Sequence, residues 1–121
     1  MSEDVNISLR ELLQALAVSP EVKRYEQVRS ILDEREDARR VVDDYRRNVY
    51  RIQNCPDSSV HLDELNALLA QRDQIRRDPD MREYLEAELE VCRIFQHICS
   101  DVMKVADVDI SGFEESIGAD E

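Results

Sequence analysis

Four residues have side chains suited to metal or redox chemistry: Cys55, His61, Cys92 and Cys99. The seven-residue spacing of Cys92 and Cys99 on one predicted helix separates them by about 10.5 Å along its axis. A disulfide needs Cα atoms within about 7 Å, and one zinc ion needs its sulfur ligands closer together. We therefore expect both cysteines to pack in the core as small apolar residues.

Cys55 and His61 lie in a polar segment six residues apart, and one cysteine with one histidine defines no site by itself. The alternative is a metal-binding or redox protein that combines all four residues across subunits. Three cysteines without a secretory signal favour reduced thiols in a cytosol. We predict no cofactor and no disulfide.

Catalytic patterns are missing from the sequence. Neither His61 nor His97 has a nucleophile or an orienting carboxylate at a diagnostic spacing. No glutamate precedes a core histidine by three residues, and the two glycines, Gly112 and Gly118, cannot form a phosphate-binding loop. We therefore predict a protein that is not an enzyme.

A basic face on residues 38–53 is a second candidate site. Its five arginines and two aspartates give a local charge of +3 in a chain of net charge -12. Arg40, Arg47 and Arg51 share one helix face and suit an acidic partner, the chain's own tail or RNA held in an assembly. The alternative is a solvated face with internal ion pairs. The net charge itself disfavours direct nucleic-acid binding and anionic membranes.

The elements that position these residues are predicted to be helices, because only two glycines and three prolines occur and 36% of the residues are charged. We predict an all-α helical bundle of about five helices with a long C-terminal helix. Ser8 and Glu11 form a capping box, and Pro20 and Pro79 each follow a capping residue. The predicted helices span about residues 8–18, 20–33, 38–53, 61–77 and 79–104.

The last predicted helix carries apolar residues in three adjacent heptad columns, which is typical of a helix with several neighbours. The columns are Leu85, Cys92, Cys99 and Ala106; Tyr84, Val91, Ile98 and Val105; and Met81, Phe95 and Val102. We expect Phe95 to be buried. If the chain leaves one column bare, Tyr84, Val91 and Ile98 are the first candidates for a subunit interface.

The domain prediction is a single helical-bundle domain over residues 1–106 and a mobile acidic tail over 107–121. Ile110, Phe113 and Ile117 share a helical spacing in this tail and offer a docking face as the alternative. No apolar run approaches the roughly 18 residues that span a bilayer, and the first residues do not resemble a signal peptide. We expect a cytoplasmic protein.

Two segments carry a resemblance to a known family: SPEVKRYEQVRSILDEREDARRVVDDYRRNVYRIQ and RRDPDMREYLEAELEVCRIFQHICSDV. Together they resemble the YlbF/YmcA family of bacterial regulators over about residues 7–110. The resemblance implies an all-helical, non-enzymatic adaptor or regulator that acts by association. The three apolar columns of the last helix and the missing catalytic set favour a homo-oligomer or a pair with a family relative. It also implies a ribonuclease-associated assembly that influences competence, biofilm formation, sporulation or RNA processing. Iron–sulfur ligation known in some members is not expected here, because the tail SGFEESIGADE contains no cysteine.

Overall fold

The computed structural model describes residues 1–54 and 62–106, and this part of the chain is helical with no strand. Its five helices are α1 (Glu3–Ala17), α2 (Pro20–Asp33), α3 (Glu36–Gln53), α4 (Leu62–Arg77) and α5 (Pro79–Lys104). The predicted all-α bundle with a long last helix is confirmed. The predicted tail 107–121 lies outside the described residues, as do Cys55 and His61.

Helices α2 and α5 begin at the two predicted proline signals. The Ser19 hydroxyl accepts a hydrogen bond from the Val22 N–H at 3.4 Å, directly before Pro20. The Asp78 Oδ1 accepts bonds from the Asp80 N–H at 3.0 Å and the Met81 N–H at 3.3 Å. Each cap satisfies backbone donors that have no partner within the helix.

The predicted start of α1 at Ser8 is wrong. The helix begins at Glu3, and the Ser2 hydroxyl accepts a hydrogen bond from the Val5 N–H at 3.3 Å. Glu3 and Asp4 place two negative charges in the first turn, where the helix dipole favours them. No breaker separates Ser2 from Ser8, so the earlier cap extends the helix by more than one turn.

The chain divides by its internal contacts into two units, Met1–Glu88 and a second that begins at Leu89, within α5. The first unit contains a core to which α2, α3, α4 and the start of α5 all contribute. Its buried residues are Val28, Leu32, Ala38, Val42, Ile75, Met81, Tyr84 and Ala87. Full burial of one large apolar side chain stabilises a fold by about 1.5–3 kcal/mol, so this cluster is the main source of stability.

Tyr84 is the centre of a polar network inside this core. Its ring stacks at 5.8 Å from that of Tyr25, and the guanidinium carbons of Arg39 and Arg46 lie 4.9 and 5.1 Å from its centroid. The Tyr84 hydroxyl donates to Glu88 at 3.1 Å, and Glu88 also pairs with Arg46. Burial is the main cause that raises the pKa of Tyr25. Cation–π contacts and a shared carboxylate thus connect α2, α3 and α5.

A second polar cluster fixes the junction between α2 and α3 to the start of α5. Arg35 donates from Nη1 to Asp78 Oδ1 at 2.9 Å and to Asp80 Oδ2 at 2.8 Å, and from Nη2 to Asp78 Oδ2 at 2.7 Å. The hydrogen bond from Arg35 is the main cause that holds the pKa of Asp78 below its usual range. The same pairing raises the pKa of Arg35. Arg35 therefore stabilises the Asp78 carboxylate at the start of α5 as an anion.

The spacing of Leu62, Leu65, Leu69 and Ile75 predicts an inward face on α4, but much of this face is exposed. Ile75 is buried, whereas Leu62, Leu65 and Leu69 are 74%, 40% and 41% exposed. Helix α1 likewise contains no buried residue. The inward prediction is wrong for the three leucines, because periodicity identifies an apolar face without showing that the same chain covers it.

Candidate association surface on the last helix

The covered side of α5 contains Tyr84, Val91 and Ile98, which were the first interface candidates if a column was left bare. Tyr84 and Val91 are 1% and 7% exposed, and Ile98 is half-buried. Met81 and Ala87 are buried on the same side. The chain itself therefore covers Tyr84 and Val91, and the bare column of α5 is a different one.

The uncovered side of α5 lies in its C-terminal half. Phe95 is 45% exposed and Val102 is 62% exposed. Cys92 and Cys99 are also exposed. The four residues follow one another at three, four and three positions, which is the spacing of a helix–helix seam. The expectation of core packing for Cys92, Cys99 and Phe95 is wrong. We call these four residues, with the exposed Leu89 and Val105, the outer face.

The solvent exposure of side chains increases along one heptad column of α5. Met81 is 5% exposed at its start, whereas Phe95 and Val102 in the same column are 45% and 62% exposed. The apolar pattern continues without interruption by charge beyond Glu88. Among the described residues, the first part of this apolar column is buried and the later part is exposed.

The charged residues in the C-terminal half of α5 balance one another. Residues 89–104 contain Glu90, Asp101, Arg93 and Lys104, so their formal charges cancel. The Asp101 carboxylate lies 3.3 Å from His97 Nε2 and 3.9 Å from Lys104 Nζ. A neutral segment within a chain of net charge -12 does not repel another copy locally.

The arginine face of α3 is partly neutralised by the chain's own carboxylates. Arg47 donates to Asp44 at 2.7 Å, and Arg51 lies 4.0 Å from Glu64. Arg40 is exposed and lines an open groove together with Asp33, Glu36, Arg39, Asp43 and Arg47. Equal numbers of arginines and carboxylates line this groove, so it offers no uniformly positive track to a phosphate backbone.

The cysteines do not assemble a metal site within the described part of the chain. There, no three residues among His, Cys, Asp and Glu are grouped closely enough to hold a metal ion. Cys92 and Cys99 contribute exposed thiols to the outer face instead. Heptad spacing alone does not distinguish these exposed thiols from buried ones, because it does not identify the side of α5 that the described residues leave exposed.

Comparison with known proteins gives one family match. The model of the family described as "Control of competence regulator ComK, YlbF/YmcA" matches residues 7–105. No curated protein and no solved structure matches the chain. Among the described helices, none has the length and apolar character needed to cross a membrane.

Proposed function

Because the chain belongs to the YlbF/YmcA family of competence regulators, we propose that it is a cytoplasmic regulatory adaptor that binds other protein chains and performs no catalysis. The outer face of α5 is the observation that carries this proposal. Four neighbouring exposed residues at seam spacing form an apolar surface of the kind that marks protein interaction sites. Its partner is a second copy or a family relative.

The driving force for this association is burial of the outer face. Phe95, Val102, Leu89 and Val105 are between 45% and 88% exposed. Covering a large apolar side chain contributes about 1.5–3 kcal/mol when it is fully exposed beforehand. Association must also offset lost translational and rotational freedom. Several such side chains acting together give affinity without any polar recognition group.

As an adaptor, the protein takes part in the regulation of competence, biofilm formation, sporulation or RNA processing. In a ribonuclease-associated assembly this protein supplies binding surface, and the chemistry belongs to another component. The mixed charges on the α3 groove fit this division, because they favour a protein neighbour over direct contact with RNA.

Sedimentation velocity across a range of micromolar concentrations tests the proposal. We expect the natural sequence to form a species larger than the monomer, and Phe95→Asp to shift it to the monomer. Ile31→Asp is the matched control, because Ile31 is 42% exposed on α2 and Phe95 is 45% exposed on α5. A natural chain that stays monomeric and retains no family relative in a pull-down would contradict the proposal.

A further inference from the structure

We propose that the C-terminal tail of the chain folds back on the outer face of its own α5 and competes there with the partner chain. This inference rests on the proposed function, because it assigns a regulator to the same surface. The occupant is the segment 110–117, whose large apolar residues are Ile110, Phe113 and Ile117. The outer face and the tail both belong to the unit of the chain that begins at Leu89.

The apolar residues of the tail repeat the spacing of the outer face in reverse order. Along the tail the steps are three and then four positions, and from Val102 back through Cys99 to Phe95 they are the same. Each row spans seven positions, or about 10.5 Å along a helix axis. One antiparallel register therefore pairs Ile110 with Val102, Phe113 with Cys99 and Ile117 with Phe95. The bulky Phe113 side chain then meets a small cysteine, which favours close packing.

The chain between α5 and the tail segment has the length that this return needs. The Val105 N–H donates to the Val102 carbonyl oxygen at 3.2 Å, a shorter-range bond that closes the last turn of α5. Because α5 ends at Lys104, five residues, 105–109, connect it to Ile110. Connections of about two to five residues join the antiparallel helices of αα-hairpins. The tail therefore reaches the exposed half of its own last helix.

The outer face supplies the stability that the tail segment lacks alone. Isolated helices shorter than about 12–15 residues are marginal in water, and Gly112 lowers the helix propensity of this segment further. Burial of Ile110, Phe113 and Ile117 against exposed apolar side chains offsets this deficit. A short flexible connection also gives an effective concentration of about millimolar. A weak contact within the chain therefore competes with a partner at micromolar concentration.

The charges of the two segments are compatible with this register. The tail contains six carboxylates and no basic residue, whereas the C-terminal half of α5 is neutral. In the register above, Lys104 lies level with a position between the first two tail aspartates, and Arg93 lies level with the residue before Asp120. Asp101 lies level with Ser111, so no like charges meet there. The charged side chains of α5 lie on the side away from the outer face, so apolar burial drives the contact.

A disulfide equilibrium tests the register in the full-length chain. C55S/C92S/F113C retains Cys99 and places a second thiol at the tail position that faces it. C55S/C92S/E115C is the matched control, because position 115 is on the opposite side of the segment. Oxidised glutathione converts the two protein thiols to one disulfide and is itself reduced to two molecules of glutathione. We expect the effective concentration of the two thiols in the monomer to be at least about tenfold higher in the first variant.

Sedimentation velocity tests the competition with the partner. Phe113→Asp places a charge in the apolar row of the tail and should release the outer face. If the tail covers this face in about 90% of the chains, the apparent dissociation constant for the partner is about tenfold above its intrinsic value. We therefore expect Phe113→Asp to lower the concentration at half association by about tenfold or more. Ser111→Asp is the matched control, because it adds the same charge outside the apolar row and should leave association unchanged.

Two outcomes would overturn the inference and leave the proposed association standing. Equal effective concentrations in the two thiol variants would mean that the tail does not adopt this register. Unchanged or weaker association of Phe113→Asp would mean that the tail does not cover the binding surface. If the natural chain and Phe113→Asp both stay monomeric and neither retains a family relative, the proposed function and this inference are both wrong. Circular dichroism checks that every variant keeps the helical fold.

Discussion

Truncation of Phe95 separates folding from association more cleanly than any other single change. A fully buried phenylalanine costs about 3–5 kcal/mol when it is replaced by alanine. The Phe95 ring is 45% exposed, so the chain itself covers only about half of it. Full burial of such a side chain contributes about 1.5–3 kcal/mol. We therefore expect Phe95→Ala to lower the free energy of unfolding of the monomer by about 0.75–1.5 kcal/mol.

The assay is urea denaturation followed by circular dichroism at two protein concentrations a hundredfold apart. Association stabilises the folded state by mass action, so the midpoint of the natural chain should rise with concentration. Phe95→Ala should remove this dependence. Leu32→Ala is the control for a true core residue, because Leu32 is 0% exposed. Its loss should be about 2–5 kcal/mol, and the concentration dependence should remain.

Two results would refute this reasoning. A loss above 3 kcal/mol for Phe95→Ala at the lower concentration would mean that the monomer already buries the ring. A midpoint of the natural chain that is independent of concentration would mean that no association is coupled to folding. Either result would remove the outer face as the basis of the proposed function.

Three further changes test the caps and the core network. Asp78→Ala should cost about 0.5–2 kcal/mol at pH 7 through loss of the cap. Because the folded pKa of Asp78 is depressed, its charge stabilises the fold fully above the ordinary value of 3.8. This contribution of the charge should be lost as the pH falls from 3.8 through the lower folded pKa. Tyr84→Phe removes the hydroxyl that donates to Glu88 and should cost about 0.5–1.5 kcal/mol in urea denaturation. Ser2→Ala should speed amide exchange in the first turn of α1, and Ser8→Ala should not.

Each of these changes has a matched control. Asp78→Asn keeps a capping oxygen and loses only the charge, so it should remove the acid dependence while retaining most stability at pH 7. Tyr50→Phe alters a tyrosine that is 50% exposed and should leave stability within about 0.5 kcal/mol. Faster exchange in Ser8→Ala than in Ser2→Ala would place the cap at the later serine after all.

Sequence patterns predicted the helices well because their signals are local. Ser19 and Asp78 each precede a proline, and cap, proline and apolar spacing together locate the starts of α2 and α5. The start of α1 was misplaced because two serines compete for the cap. Ser8 has the stronger capping-box pattern, whereas Ser2 precedes two acidic residues.

The candidate site was harder to predict, because periodicity measures the width of an apolar face and does not identify the chain that covers it. Cys92 and Phe95 have the same heptad spacing as buried Tyr84 and Met81, and yet they are exposed. The Arg35 cluster was also missed. Its partners lie 43 and 45 residues further along the chain, beyond the range of any local pattern.

The ion pair between Arg35 and Asp78 also joins two distant points of the chain, and all of α3 and α4 lies between them. The two residues are 43 positions apart, so the connection between those helices lies inside a loop whose ends are already fixed. Arg51 and Glu64 lie 4.0 Å apart inside this loop, so the shortest closed segment around the connection spans 13 positions. Closure entropy grows with the logarithm of loop length, and ten added residues would cost about 0.5 kcal/mol. We therefore expect an engineered chain with about ten residues added between α3 and α4 to lose little stability in urea denaturation.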